Sequence, residues 1–249
     1  MLQQISQVAL EREKPSLYFS FARSPAEVAE AQRLRYKVFA EEMGAQLDGH
    51  DGLDKDGFDA FCEHLLVRDS DSGEVVGTYR IMDPYMANEA GGYYSAGEFD
   101  LSRLMHLSPS MVEVGRSCVH PDYRCGSTIS LLWAGLAKYM LTHNYEYLIG
   151  CASVGMADGG HQAASLYQTI KDKYLAPLEY RVFPHCPLPL EALQQDIKTT
   201  CPPLLKGYLR LGAYVCGDPH WDADFNTADF LVMMPISRMN PRYAEHFMK

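Results

Sequence analysis

The sequence predicts a mixed α/β fold of the layered α+β kind, with helices packed on a central sheet that is mostly antiparallel. Three observations carry this. Residues 64–68 and 75–82 are strand-like runs joined by Asp69-Ser70-Asp71-Ser72-Gly73, a turn cluster, so they read as an antiparallel hairpin. A strand at 111–119, an amphipathic helix from 127 to 142 and a short apolar strand at 147–152 form one strand-helix-strand unit, which brings in a parallel pair. The apolar run 227–235 then finishes the sheet.

Each element has a local cause. Ser24-Pro25-Ala26-Glu27 combines a capping box with proline at the first helical position, and Val28, Ala31, Leu34 and Val38 follow at helical spacing, predicting a helix over 25–43 that stops at Gly44. An acidic loop, 45–60, comes next, and residues 84–100, with Gly91-Gly92, read as irregular. Ile129, Leu132, Trp133, Leu136, Tyr139 and Met140 repeat at helical spacing between 127 and 142. A helix over 162–175 leads into a proline-bearing segment through 219, with short helices predicted at 191–198 and 203–211. We read 1–249 as a single domain, with 1–20 as an N-terminal extension and 176–226 as an elaboration.

Composition narrows the function classes. The chain is 47% hydrophobic and 22% charged, ordinary for a globular protein, and its net charge of −10 argues against nucleic acid as a general partner. Residues 1–14 hold no apolar stretch of signal-peptide length, and no window approaches the roughly 18 apolar residues of a membrane span, so a cytoplasmic location is expected. Seven cysteines without a Cys-x-x-Cys pair suggest reduced thiols and no thiolate metal site. Charge is uneven: residues 41–63 carry eight acids against one base, Lys55. An acidic partner could use the basic residues gathered at Arg33, Arg35 and Lys37.

The most informative stretch is Glu113-Val-Gly-Arg116-Ser-Cys-Val-His-Pro-Asp-Tyr-Arg124-Cys-Gly126-Ser127, where a strand runs into a loop that opens a helix. Free N–H groups at a helix start attract phosphate, and Arg124, Gly126 and Ser127 suit an anionic ligand. A plain turn with a glycine is the alternative. Strand, loop and helix together resemble the acyl-donor site of GCN5-related N-acyltransferases.

More narrowly, four blocks resemble the ornithine lipid synthesis N-acyltransferases. These are Leu34-Arg35-Tyr36-Lys37-Val38-Phe39 with Glu41-Glu42-Met43-Gly44, Asp59-x-x-Cys62-Glu63-His64-Leu65, Glu113-x-Gly-Arg116-Ser117, and Pro202-Pro203-Leu204-Leu205-Lys206-Gly207-Tyr208. A more distant resemblance to acyl-homoserine-lactone synthases rests on Arg35-x-x-x-Phe39, Asp56-x-x-Asp59, Arg80 and Glu113-x-x-Arg116. The resemblance implies transfer of a 3-hydroxyacyl group from the phosphopantetheine of acyl carrier protein to the α-amine of ornithine. It implies no permanently bound cofactor and no metal, and is compatible with peripheral contact at the inner membrane. One departure stands out: Arg124 and Gly126 are separated by a single residue, where general acetyltransferases have two, which suits a carrier-protein donor better than CoA.

Aminolysis of a thioester needs a proton acceptor for the amine. Glu113, on a strand, is the first candidate, with a structural partnership to Arg80 or Arg116 as the alternative; Asp59 and His64 are second candidates. Glu113 and Arg116 fall on opposite sides of a regular strand, and a bulge at Gly115 could bring them together. Arg35, Asp56, Arg80 and Arg116 are candidates for holding the substrate. Arg35 could equally lock the acidic loop through Asp56 or Asp59, and that loop could attract the cationic side chain of ornithine. Trp133 and Leu136 could line an acyl tunnel, with Tyr93, Tyr94 and Phe99 capping it; otherwise they are core. Cys118 and Cys151 are not expected to act as nucleophiles, since no histidine is placed beside either. Other acceptors, such as glycine or tyrosine, lactone formation, and a non-catalytic carrier-protein-binding module are the rival readings.

Overall fold

The computed structural model describes residues 16–47, 51–124 and 126–239. The segment 1–15 and Cys125 lie outside these residues. The central sheet has the order β1-β2-β3-β5-β6-β10-β8, with β9 also on β10, formed by β1 (Leu17–Phe21), β2 (Glu63–Asp69), β3 (Val75–Met82), β5 (Met111–Val119), β6 (Tyr147–Gly155), β8 (Tyr214–Val215), β9 (His220–Asp222) and β10 (Thr227–Pro235). The β5–β6 pair is parallel and its neighbours are antiparallel, as the strand-helix-strand reading requires. A second small sheet pairs β4 (Phe99–Asp100) with β7 (Phe183–Pro184).

Helix α1 (Pro25–Tyr36) starts where Ser24 Oγ accepts the Glu27 N–H, and the Glu27 carboxylate reaches back to the N–H of Arg23. It continues as a π-helix, Lys37–Glu42, and ends beside Gly44, whose φ of +77° suits glycine. Helix α3 (Gly126–His143) packs on β1, β2 and β3 and is buried through Leu132, Leu136, Tyr139 and Met140. Helix α4 (His161–Tyr174) and α5 (Pro203–Leu211) complete that layer's core; a second apolar cluster, with Phe99, Leu104 and Met111, fills the space around β4.

Three expectations are revised. Residues 17–20, grouped with the N-terminal extension, form edge strand β1 together with Phe21, paired along its length with β2. The irregular stretch 84–100 contains α2 (Pro84–Glu89), started by Asp83, whose carboxylate accepts the Met86 N–H. No helix forms at 191–198: beyond the turn Leu190–Ala192, the chain lies along α4, where His161 accepts from the Gln194 N–H and Ser165 Oγ accepts from the Ile197 N–H. Side chains of α4 thus take the backbone groups a helix would have used. The elaboration 176–226 supplies β8 and β9 to the main sheet and α5 to its core.

Candidate active site

The site begins where two strands part. The pairing of β5 with β6 covers Met111↔Tyr147, Val112↔Leu148 and Glu113↔Ile149 and then stops, although both strands run on. At the parting point a Cβ on Gly150 would stand 2.2 Å from the Val114 carbonyl oxygen, so the close approach admits glycine alone. On the other edge of β5, Thr78 pairs with Cys118 but Arg80 pairs with Gly115. That one-residue shift is a bulge, and Arg116 adopts a φ of +49° within it. The bulge anticipated at Gly115 therefore exists, with Arg116 as its left-handed residue.

A cavity of about 570 Å³, within the range of small-molecule sites, occupies the wedge between the strands. Ile129, Leu132 and Trp133 of α3, Tyr208 of α5 and Val232 of β10 give it apolar walls. Arg80, Glu98, Glu113, Arg116, Asp222 and Asp229 face it as polar groups. Of the acyl-pocket candidates, Trp133 lines the cavity; Leu136 and Phe99 do not. Leu136 lies in the main core, and Phe99 starts β4 and packs in the second cluster against the His220 ring, 5.7 Å between centroids.

Glu113 is buried and faces the cavity. Its Oε2 accepts from the Tyr94 N–H (2.6 Å), and its Oε1 accepts from the Ser95 N–H (2.8 Å) and from the Ser95 hydroxyl. Burial pushes its pKa up; the donors of Ser95 and Tyr94 and the charge of Arg80 oppose this without cancelling it. The expected partnership with Arg80 or Arg116 is replaced by this pair of amides at the start of the short turn Tyr94–Gly97. Tyr94 is the link to Arg116, whose guanidinium lies 5.1 Å from its ring centroid.

The other two catalytic candidates are held by partners away from the cavity lining. Asp59 accepts from Arg35 (2.9 and 3.0 Å), Arg80 (3.3 Å) and Gln32 (3.0 Å), and does not face the cavity. Burial alone would raise its pKa, but the bonds and charge of Arg35, with Arg80, hold it well below the usual carboxylate range. His64 is buried on β2, with Nε2 3.2 Å from the Asp59 carbonyl oxygen, and burial lowers its pKa. Both belong to a charge network in which Arg35 also binds Asp54 (2.7 Å), Arg80 binds Asp56 (2.5 Å) and Arg116 pairs with Asp54 (3.3 Å) and Asp56 (3.2 Å). Arg35 and Asp56 thus serve as ties between α1, the acidic loop and the sheet, while Arg80 and Arg116 also face the cavity. Asp54 was not singled out from the sequence. The acidic loop's buried Asp54 and half-buried Asp56 and Asp59 are paired with three arginines, which leaves them unsuited to attracting a free cation.

A second acidic group went unnoticed in the sequence. Glu98, Asp222 and Asp229 come together with carboxylate oxygens all within 4.8 Å, beside Cys151, whose thiol donates to Glu98 Oε2 (3.1 Å). Burial, then the charge of Asp229, pushes Glu98 up to about 8; burial, with Asp222, takes Asp229 to about 6. Burial keeps the thiols of Cys118 and Cys151 protonated, Cys118 up to about 12, as their exclusion as nucleophiles expects. At the start of α3, Arg124 faces the cavity while donating both terminal nitrogens to Glu42 (2.6 Å each). Gly126 and Ser127 open the helix beside it.

Residues 34–134 match the acetyltransferase (GNAT) domain family. Among solved structures, the N-acyl amino acid synthase FeeM from uncultured soil microbes superposes with a TM-score of 0.55 at 14% identity, covering 92% of this chain and 93% of that one. The acyl-homoserine-lactone synthase LasI gives 0.53 at 14%, covering 90% and 91%. Both likenesses establish the fold. The L-ornithine N(alpha)-acyltransferase of Brucella abortus (strain 2308) is 36% identical over 249 residues, 93% of this chain and 89% of its own. With that identity spread over nearly all of both chains, a GNAT domain and a cavity opening where the parallel strands separate, this acyltransferase belongs to the L-ornithine N(alpha)-acyltransferase family.

Proposed function

We propose that the enzyme transfers a (3-hydroxy)fatty acyl group from the phosphopantetheine thioester of acyl carrier protein to the α-amine of ornithine, by direct aminolysis, giving lyso-ornithine lipid. The observation that carries this reading is the wedge between β5 and β6, which opens beside Glu113 and continues between the apolar walls of α3 and α5. Past Glu113↔Ile149 no ladder pairing joins the two strands among the described residues, so their facing backbone groups are available to the amides of a pantetheine arm. The acyl chain runs past Trp133, Leu132 and Tyr208. Glu113 takes the proton of the attacking amine, directly or through water, and the thiol of the carrier leaves. Arg80 and Arg116 present cationic groups for the acceptor's carboxylate.

The donor phosphate is assigned to Arg124, Gly126 and Ser127 at the helix start. There it must displace Glu42, which holds the guanidinium in a bidentate pair at the surface. Arg124→Glu is expected to raise the donor KM about tenfold with kcat little changed; an unmoved KM would remove the phosphate from this junction. No helix among the described residues is long and apolar enough to cross a membrane. A cytoplasmic enzyme in peripheral contact with the inner membrane fits an apolar product.

The direct test is to incubate the protein with 3-hydroxyacyl carrier protein and a panel of amino acids, and to follow free carrier thiol and the mass of the product. Thiol release that depends on ornithine, with an N-acyl-ornithine product, is the expected result. Release dependent on glycine or tyrosine instead would replace the acceptor, and no release with any amine would leave a binding module.

A further inference from the structure

Two acidic groups lie near the cavity, and they differ in one respect. Asp54, Asp56 and Asp59 are each ion-paired to arginine. Glu98, Asp222 and Asp229 form no ion pair with any lysine, arginine or histidine among the described residues, although Glu98 and Asp229 are 93% and 97% buried. Asp222 accepts the N–H groups of Asp224 and Phe225, and Asp229 accepts the Thr227 hydroxyl. Glu98 is less well supplied. One oxygen accepts the weak Cys151 thiol, and the other accepts no hydrogen bond from any described residue while the side chain faces the cavity. A buried carboxylate without a counter-charge takes up either a proton or a cation, and the Glu98 oxygen left open to the cavity gives a cation a place to bind.

We propose that Glu98, with Asp229 and Asp222, is the specificity pocket for the acceptor's side-chain ammonium, so that a diamino acid enters with its second amine between these carboxylates and its α-amine turned toward the thioester. This rests on the N-acyl transfer reading above and names the feature of the acceptor that it selects. Arg116, which faces the same cavity and whose charge reaches Asp229, marks where the α-carboxylate lies. A cation placed by one group and an anion by the other leaves the α-amine between them, which selects one nitrogen of the two for acylation. The protonation of the cluster agrees. The groups facing Glu98 include Asp222 and Asp229 from β9 and β10, Glu113 from β5 and the Cys151 thiol from β6, each raising it or hydrogen-bonded to it, with the Tyr94 hydroxyl across the cavity and His220 near its backbone. A bound ammonium reverses that balance, so binding near pH 7 releases protons.

The full-length enzyme tests this in two arms. In the first, N-acylation of ornithine is compared with that of norvaline, which has the same carbon skeleton without the second amine. Glu98→Gln keeps the side-chain shape, and it is expected to raise the ornithine KM at least tenfold more than the norvaline KM and so collapse the ratio of their kcat/KM values. Asp229→Asn should act in the same direction. An unchanged ratio overturns the proposal, and so does an equal fall in kcat on both amines at constant KM, which would move Glu98 into proton transfer. The second arm needs no variant and no turnover: ornithine and 1,4-diaminobutane, but not norvaline, should raise the thermal midpoint of the wild-type protein and release protons on binding. No shift with either cation overturns the proposal, as does a site that proves to be filled by a divalent metal, seen as activity lost to a chelator and restored by the ion. A wild type that binds these cations yet acylates no amine would overturn the transfer reading and leave the pocket standing.

Discussion

Arg35→Ala is expected to lower the thermal midpoint by roughly 10 °C while leaving the kcat/KM of the remaining folded enzyme within about threefold of wild type. The guanidinium is completely buried and spends its donors on Asp54 Oδ2 (2.7 Å), the Asp54 carbonyl oxygen (2.6 Å) and both oxygens of Asp59 (2.9 and 3.0 Å). Removing one partner of a buried pair strands the other, at about 3–5 kcal/mol. In a chain of this size each kcal/mol moves the midpoint by about 2–4 °C. Lysine restores the charge but not the planar fork, so Arg35→Lys should recover only part of the loss. The same variant separates the two roles the sequence left open for Arg35. If it held the acceptor's carboxylate, the acceptor KM would rise tenfold or more with little change in melting. Acid should act alike: the pKa of Asp59 lies below its unfolded value, so the stabilisation it gives is present above about pH 4 and is lost as pH falls. Thermal melts of wild type and Arg35→Ala between pH 3 and 7 should therefore converge toward the acid end.

What could be read from the sequence was what is encoded locally. The hairpin of β2 and β3 is announced by two strand-like runs and five consecutive turn formers between them, and α3 by its apolar stripe; both occur in their expected places. The bulge at Gly115-Arg116 was legible because Glu113 and Arg116 could not otherwise share a cavity. The predicted helix at 191–198 failed because Ser165 and His161, some thirty residues earlier, outcompete it for backbone groups. The same limit governed the site. Asp59 and His64 looked like acid-base candidates because their sequence blocks carry the family resemblance, but which acid meets which arginine is decided by packing across α1, β3 and β5. Glu98, Asp222 and Asp229 come from a turn before β4, from β9 and from β10, with no shared spacing. One signal was available: Asp229 stands in an otherwise apolar strand whose residues are all buried, and a charge in such a place needs a reason.

Glu113→Gln is expected to lower kcat about 10²-fold and to abolish the acid limb of the pH–rate profile. The wild-type carboxyl is protonated more readily than an ordinary glutamate because burial disfavours its charge, so the limb should lie above the usual carboxylate range and activity should fall as pH drops through it. Stability follows the opposite sense. A raised folded pKa favours the fold below the unfolded value, and that advantage is lost as pH rises. The neutral glutamine does not titrate, so wild type should lose ground against it with increasing pH. Glutamine has a cost of its own, since its amide must point N–H groups at the Tyr94 or Ser95 amide, two donors facing each other. Melting curves measured beside the kinetics separate the two effects. A fall in activity that merely tracks the folded fraction, or an acid limb that survives the substitution, would make Glu113 the clamp on the Tyr94–Gly97 turn and nothing more. Loss of turnover in a variant that stays folded at the assay temperature, with the limb gone, assigns it the proton. In the clamp case the acceptor would have to come from elsewhere in the cavity, and Glu98, at about 8 and with an oxygen open to the same space, is the group whose pH–rate profile would then be measured next.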